Sequence, residues 1–150
     1  MIVLLGSLFA SASASDAAAP ADDESLLAAY EAVRVPLVED RLDGAQAAAR
    51  QLADGPGVPA EVAGAASAVT VATDADAARR AFGELSRALV IRFQATAVPD
   101  GMRIYRCPMA AGFQYWLQAD AGIANPYMGT SMPTCGEGTS FKAAVRAATP

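Results

Sequence analysis

Sulfur-bearing side chains cluster in the last third of this 150-residue chain. Cys107 and Met109 flank a proline, and Met128, Met132 and Cys135 follow at intervals of four and three residues. Thiolate and thioether sulfurs prefer soft monovalent ions, above all Cu(I) and Ag(I), over Zn(II) or hard cations. Two cysteines with one methionine would satisfy a Cu(I) ion, and prolines around them stiffen the backbone. The candidate metal ligands are Cys107, Met109, Met132 and Cys135.

The same cysteines also fit a disulfide, because exported proteins with an even number of cysteines usually pair them. A bridge between Cys107 and Cys135 would stabilise a small domain by about 3–4 kcal/mol through loop closure. The methionines would then simply fill the core. Two unpaired buried thiols are a third interpretation, and spacing leaves all three open. Oxidation would abolish a metal site at these sulfurs, and reduction would restore it.

Composition excludes several other kinds of chemistry. The chain has no histidine, which removes Ser-His-Asp and Cys-His nucleophiles, His-containing zinc sites and haem attachment through C-x-x-C-H. It also has neither a phosphate-binding glycine loop nor a C-x-x-C redox motif. We therefore predict a protein that is not an enzyme and has no catalytic residues. The net charge of -5, with scattered basic residues, argues against a nucleic-acid partner or an anionic membrane surface.

The N-terminus resembles the end of a secretory signal. Residues 2–9 form an apolar run too short to span a bilayer, and small residues in A-x-A spacing follow it. No Lys or Arg precedes the run, and no cysteine follows it to carry a lipid anchor. We predict a signal remnant over 1–14, an acidic disordered linker over 15–24, and a periplasmic or secreted protein without a membrane anchor.

Helical periodicity organises most of the remaining chain. The first predicted helix begins near residue 23 and carries an apolar stripe that Pro36 should kink or break. A second helix covers 42–53, and a third begins with Pro59 as its first helical residue. The fourth follows a capping pattern at 73–76, and its stripe contains Ala78, Phe82, Leu85, Leu89 and Phe93.

These elements predict one all-α domain over residues 25–150, an up-down bundle of about four helices. The Cys-, Pro- and Met-rich segment 102–138, hereafter the cap, should lie across the bundle as irregular structure. Within it, 102–106 could be a short strand or an extended arm. Residues 140–147 could add one or two helical turns.

A set of spaced positions in the cap also forms a specific pattern. The positions are Tyr105-x-Cys107-Pro108-Met109-Ala110, Tyr115-Trp116-Leu117, Ile123-x-Asn125-Pro126-Tyr127-x-Gly129 and Met132-x-x-Cys135-Gly136. With the helices upstream, this pattern resembles, over about residues 25–138, a bacterial extracytoplasmic family known as a domain of unknown function. Its members occur alone or attached to the periplasmic adaptor subunits of copper and silver efflux pumps.

The resemblance implies a small helical bundle outside the cytoplasm, with a role in heavy-metal handling. An efflux component or another extracytoplasmic protein is the partner that it implies. The four candidate ligands match family positions, whereas Met128 falls where the family accepts other large residues and is the weakest candidate. The heavy-metal-binding segments of such pumps carry a histidine after the Cys-Pro-Met element, and this chain lacks it.

Two hypotheses follow. The leading one is an exported, non-enzymatic module that binds Cu(I) or Ag(I) through Cys107 and Cys135, helped by Met109 or Met132. The alternative is a structural or protein-interaction module that a Cys107–Cys135 disulfide clamps, without metal.

Overall fold

A computed structural model describes residues 21–150 of the chain, so the predicted signal remnant and residues 15–20 of the linker lie outside the described residues. The described part is mostly helical and also contains a small sheet. Its elements are α1 (Asp23–Val38), α2 (Leu42–Ala53), α3 (Ala60–Thr70), α4 (Ala75–Thr96), β1 (Arg103–Arg106), β2 (Tyr115–Gln118), a 3-10 turn (Gly129–Ser131), β3 (Glu137–Thr139) and α5 (Phe141–Ala148).

Helix α1 begins with a capped N-terminus and ends just after its proline. The Asp22 carboxylate accepts a hydrogen bond from the Ser25 amide at 2.7 Å, which satisfies one free N–H of the first turn. Pro36 lies in the last turn, and its carbonyl accepts a hydrogen bond from the Arg41 amide at 2.8 Å. The helix thus continues two residues past Pro36 and then turns into α2.

Helices α1 to α4 pack in chain order, each against the next. The predicted stripe of α4 is confirmed, because all five of its residues are buried. Asp74 caps this helix by accepting from the Ala77 amide at 2.8 Å. Pro59 precedes the first residue of α3 rather than being that residue. The rings of Tyr30 and Phe82 stack with centroids 5.0 Å apart, so these aromatic residues form the core.

The prediction of an all-α fold is wrong in one respect, since the cap contains a three-stranded antiparallel sheet in the order β2-β1-β3. Tyr105 pairs with Trp116 on one side and with Gly138 on the other. Aromatic and β-branched residues favour strands when neighbours cover them, and Trp116 stacks on Tyr105 with ring centroids 5.4 Å apart. The aromatic segment predicted as loop is therefore strand β2.

Helix α5 packs against α4. Ala144 and Ala148 are buried, and the carbonyl of Ala148 accepts a hydrogen bond from Nε of Arg87 at 2.9 Å. The Ser140 hydroxyl caps the helix by accepting from the Ala143 amide at 3.2 Å. Within residues 21–150, no helix combines the length and the apolar character needed to cross a bilayer.

Replacing Ser140, the N-cap residue of α5, should lower the stability of the fold measurably. Because a Ser N-cap satisfies an N–H that has no partner within the helix, Ser140→Ala should lower the free energy of unfolding by about 1 kcal/mol. Urea unfolding followed by far-UV circular dichroism measures the change. The matched control is Ser67→Ala in the middle of α3, where the serine bonds back to the Ala63 carbonyl and alanine is the better helix former. Equal losses in the two variants would contradict the role of Ser140.

Candidate metal centre

Cys107 follows β1 and is fully buried. Its amide donates to the carbonyl of Gln114 at 2.9 Å, and its carbonyl accepts from the amide of Ala110 at 3.1 Å. Pro108 suits the turn between them, because a proline has no N–H to leave without a partner. The backbone of Cys107 is therefore held on both sides, by the β1–β2 hairpin and by the tight turn that follows it.

Cys135 lies in a second turn, immediately before β3, and is partly buried. Its amide donates to the carbonyl of Met132 at 3.1 Å. At Gly136, φ is 139°, and a Cβ there would lie 3.0 Å from the Trp116 ring and from the Arg106 carbonyl. Only glycine combines this backbone angle with so close an approach, so Gly136 allows the Cys135 turn to pack against the sheet.

Asn125 joins the segments that carry these turns. Its side-chain amide donates to the Cys135 carbonyl at 2.5 Å, and its Oδ1 accepts from the amides of Tyr127 and Met128. The backbone amide of Asn125 donates to the Pro133 carbonyl at 2.8 Å. The side chain is fully buried. The sequence analysis included Asn125 only as one position of the family pattern and missed this structural role.

The two cysteines lie close together. Arg106 pairs with Glu137, so the residues after β1 and before β3 run side by side, and the two sulfurs are not joined in a disulfide. Burial and then the neighbouring Cys107 raise the pKa of Cys135 above its ordinary value. These effects favour the neutral thiol at Cys135, because a second thiolate close by would add like-charge repulsion. A cation that displaced the protons would remove this repulsion.

The two methionines of the predicted ligand set occupy different surroundings. Met132 is 38% exposed, and its carbonyl accepts the Cys135 amide in the turn described above. Met109 is 61% exposed and lines a cavity that also contains Met128 but neither cysteine. Within residues 21–150, no three His, Cys, Asp or Glu side chains come close enough together to bind a metal ion.

Buried polar side chains fasten the cap to the helices. The Arg34 guanidinium pairs with Glu31 at 2.7 Å and donates to the Ala124 carbonyl at 3.0 Å. The Tyr30 hydroxyl contacts the Ser86 hydroxyl at 2.8 Å and accepts from the amide of Leu117 in β2. Sequence reasoning missed these links, since they join residues far apart in the chain.

A second set of contacts between the cap and the helices lies at the turn after α1. The Asp40 carboxylate accepts hydrogen bonds from both the amide and the hydroxyl of Thr130 and from the Arg79 guanidinium. The Thr130 hydrogen bonds, followed by the Arg79 charge, lower the pKa of Asp40. Arg79 also donates to the Pro126 carbonyl at 3.3 Å. The same cap segment that carries Asn125 is therefore held by α1 and α4 together.

Two neighbouring cysteines on a held backbone are suited to soft-metal binding, to disulfide formation, or to both in turn. The chain's own residues are the basis for choosing between them, since comparisons with family models, curated proteins and solved structures find no match for this chain.

Proposed function

We propose that the protein is an exported, non-enzymatic module that binds Cu(I) or Ag(I) between the sulfurs of Cys107 and Cys135. The observation that carries this proposal is the pairing of β1 with β3, which brings Cys107 and Cys135 together from opposite ends of the cap. Their sulfur donors are the type that selects soft monovalent ions. Such a module would serve as a chaperone, sensor or buffer for the ion.

The backbone around the sulfurs supports metal binding because it is already ordered. Backbone hydrogen bonds of the two cysteines with Gln114, Ala110 and Asn125 hold their turns without using the sulfur atoms. Ligands that are held in place lose less conformational entropy when an ion binds. Met132, in the same turn as Cys135, and Met109, two residues after Cys107, are candidates for a third ligand, because a methionine side chain has three rotatable bonds.

The second candidate function is a structural or protein-interaction module that a Cys107–Cys135 disulfide clamps. The closeness of the two cysteines favours it, although their sulfurs are not joined in the structure and a bridge would require the side chains to move. The resemblance of the cap to a family attached to copper and silver efflux adaptors favours the metal-binding function. It also makes an extracytoplasmic protein the expected partner.

Competition for Cu(I) tests the proposed function. We titrate the reduced protein with Cu(I) against a competing chelator, under anaerobic conditions, and compare it with the Cys107→Ser, Cys135→Ser double variant. We expect the double variant to lose tight Cu(I) binding, because both thiolates are gone. Thr134→Ala, which changes an exposed neighbour of Cys135, should bind as the natural protein does.

Circular dichroism must show that each variant is folded, because Cys107 is fully buried. Cys135→Ser alone, at the partly buried position, serves as a second test if the double variant unfolds. Unchanged Cu(I) affinity in a folded variant would remove the proposed function. Mass spectrometry under non-reducing conditions detects the alternative, since a disulfide makes the native protein lighter by two hydrogen atoms.

A further inference from the structure

A cavity of about 210 Å³ between the cap and α4 contains two of the chain's five methionines. Met109 and Met128 both line it, together with Tyr127. Met109 is 61% exposed, so it does not fill the core in the way that a methionine usually does. The two side chains come from different parts of the cap and share this space only through the tertiary structure.

The backbone beside each methionine is held in place. Met109 lies in the turn that the hydrogen bond from Ala110 to the Cys107 carbonyl closes. The Met128 amide donates to Oδ1 of Asn125 at 3.2 Å. Gly129, the next residue, has φ of 55°, and a Cβ there would collide with the Asp40 carboxylate and with the Arg79 guanidinium. The positions of both methionines are thus set by the same contacts that order the cap.

The charged groups around the cavity do not exclude a cation. Arg79 and Arg80 line it with Asp76, and Arg79 pairs with Asp76 at 3.5 Å and with Asp40. Two carboxylates, Asp76 in the lining and Asp40 outside it, therefore balance the two guanidinium groups, which leaves no net charge to repel a cation.

We propose that Met109 and Met128 form a second soft-metal site, which binds Cu(I) or Ag(I) through two thioether sulfurs. This site does not depend on the thiols. A thioether carries no proton to displace and forms no disulfide, so binding here persists at acid pH and in oxidised protein. The cap then presents two kinds of sulfur site at either side of Pro108, one of thiols and one of thioethers.

Nuclear magnetic resonance of protein labelled with carbon-13 at its methionine methyl groups tests this site. The probe is silver nitrate in a chloride-free buffer at about pH 5, added to the full chain. We expect the methyl signals of Met109 and Met128 to shift together, while the signal of Met102, outside the cavity, stays. Because Met109 is also a candidate third ligand of the thiol site, the Met128 methyl is the signal that reports on the thioether site alone.

Leucine variants show whether the two thioethers act as a pair. Met109→Leu should abolish the shift of the Met128 methyl, and Met128→Leu should abolish that of Met109, whereas Met102→Leu should preserve both. Leucine conserves side-chain volume, so the variants should fold, as circular dichroism can verify. The inference is overturned if neither methyl shifts, or if Met128 still shifts in folded Met109→Leu.

The result also separates this site from the proposed function. Methyl shifts that persist while substitution of the cysteines leaves Cu(I) affinity unchanged would overturn the thiol site alone. Cysteine-dependent Cu(I) binding without methyl shifts at Met109 and Met128 would overturn the thioether site alone.

Discussion

Saturating Cu(I) is expected to raise the free energy of unfolding of the reduced protein by about 4 kcal/mol when free Cu(I) exceeds the dissociation constant a thousandfold. The reason is that Cys107 and Cys135 lie far apart in the chain and meet only when the cap is folded. An ion held by both sulfurs therefore favours the folded state. Anaerobic urea unfolding, with Cu(I) set by a chelator buffer, measures the stabilisation.

This stabilisation should increase with pH. Burial and the neighbouring Cys107 raise the pKa of Cys135, so the metal-free site carries thiol protons at neutral pH that the ion must displace. Each proton released makes binding up to about tenfold tighter per pH unit until the thiol titrates. Without metal the trend is opposite. The unfolded chain loses the Cys135 proton at lower pH than the folded one, so metal-free protein loses stability as pH rises above the ordinary thiol pKa.

The Cys107→Ser, Cys135→Ser variant is the control, and Cu(I) should leave its unfolding curve unchanged. Oxidised wild-type protein provides the contrast, because a disulfide would stabilise it by about 3–4 kcal/mol without metal and make it insensitive to Cu(I). Reduced protein that Cu(I) does not stabilise even at alkaline pH, but that oxidation does, would support the disulfide clamp instead.

Trp116→Ala is expected to lower the free energy of unfolding by about 3–5 kcal/mol. The ring is fully buried, stacks on Tyr105 and lies edge-on to Tyr127 with centroids 5.9 Å apart. Its Nε1 donates to Oε1 of Gln118 at 3.1 Å. Removing the ring leaves a cavity beneath the Cys135 turn, because Gly136 rests directly against it. The variant should therefore also bind Cu(I) more weakly.

Urea unfolding followed by far-UV circular dichroism measures the loss, since the variant has no tryptophan to report by fluorescence. Trp116→Phe keeps an aromatic ring and should lose less stability. Val71→Ala, at a side chain that is 77% exposed, should change the free energy of unfolding by no more than about 0.5 kcal/mol. A Trp116→Ala variant as stable as Val71→Ala would contradict the role assigned to the ring.

Helix α4 was predictable from its residues alone. Its apolar stripe repeats with the helical period, and the backbone of a helix satisfies its hydrogen bonds within the segment. All five residues of the pattern therefore lie on the buried face of the helix, which also includes Gly83, Ser86, Ala88 and Val90. The burial of Phe82 and Phe93 followed from the same periodicity.

The sheet was not predictable in this way. Strands β1 and β2 have four residues each and β3 has three, and each obtains its hydrogen bonds from a partner elsewhere in the chain. A stretch such as Tyr115-Trp116-Leu117 favours a strand only when a neighbour pairs with it and the helices cover it. The local residues do not show that neighbour, so the cap was expected to be irregular apart from a short strand or extended arm over 102–106, where β1 is found.

The same distinction between local sequence and tertiary structure applies to the candidate metal centre. The residue types by themselves determined which candidate ligands the sequence could indicate, because a chain with two cysteines, several methionines and no histidine favours soft sulfur donors. Only the tertiary structure decided which of these sulfurs meet. It brings Cys107 to Cys135 and places Met109 beside Met128, because Asn125, Gly136 and the sheet fold the turns of the cap together. Contacts of this kind depend on the packing of the whole cap, and spacing along the chain does not contain that information.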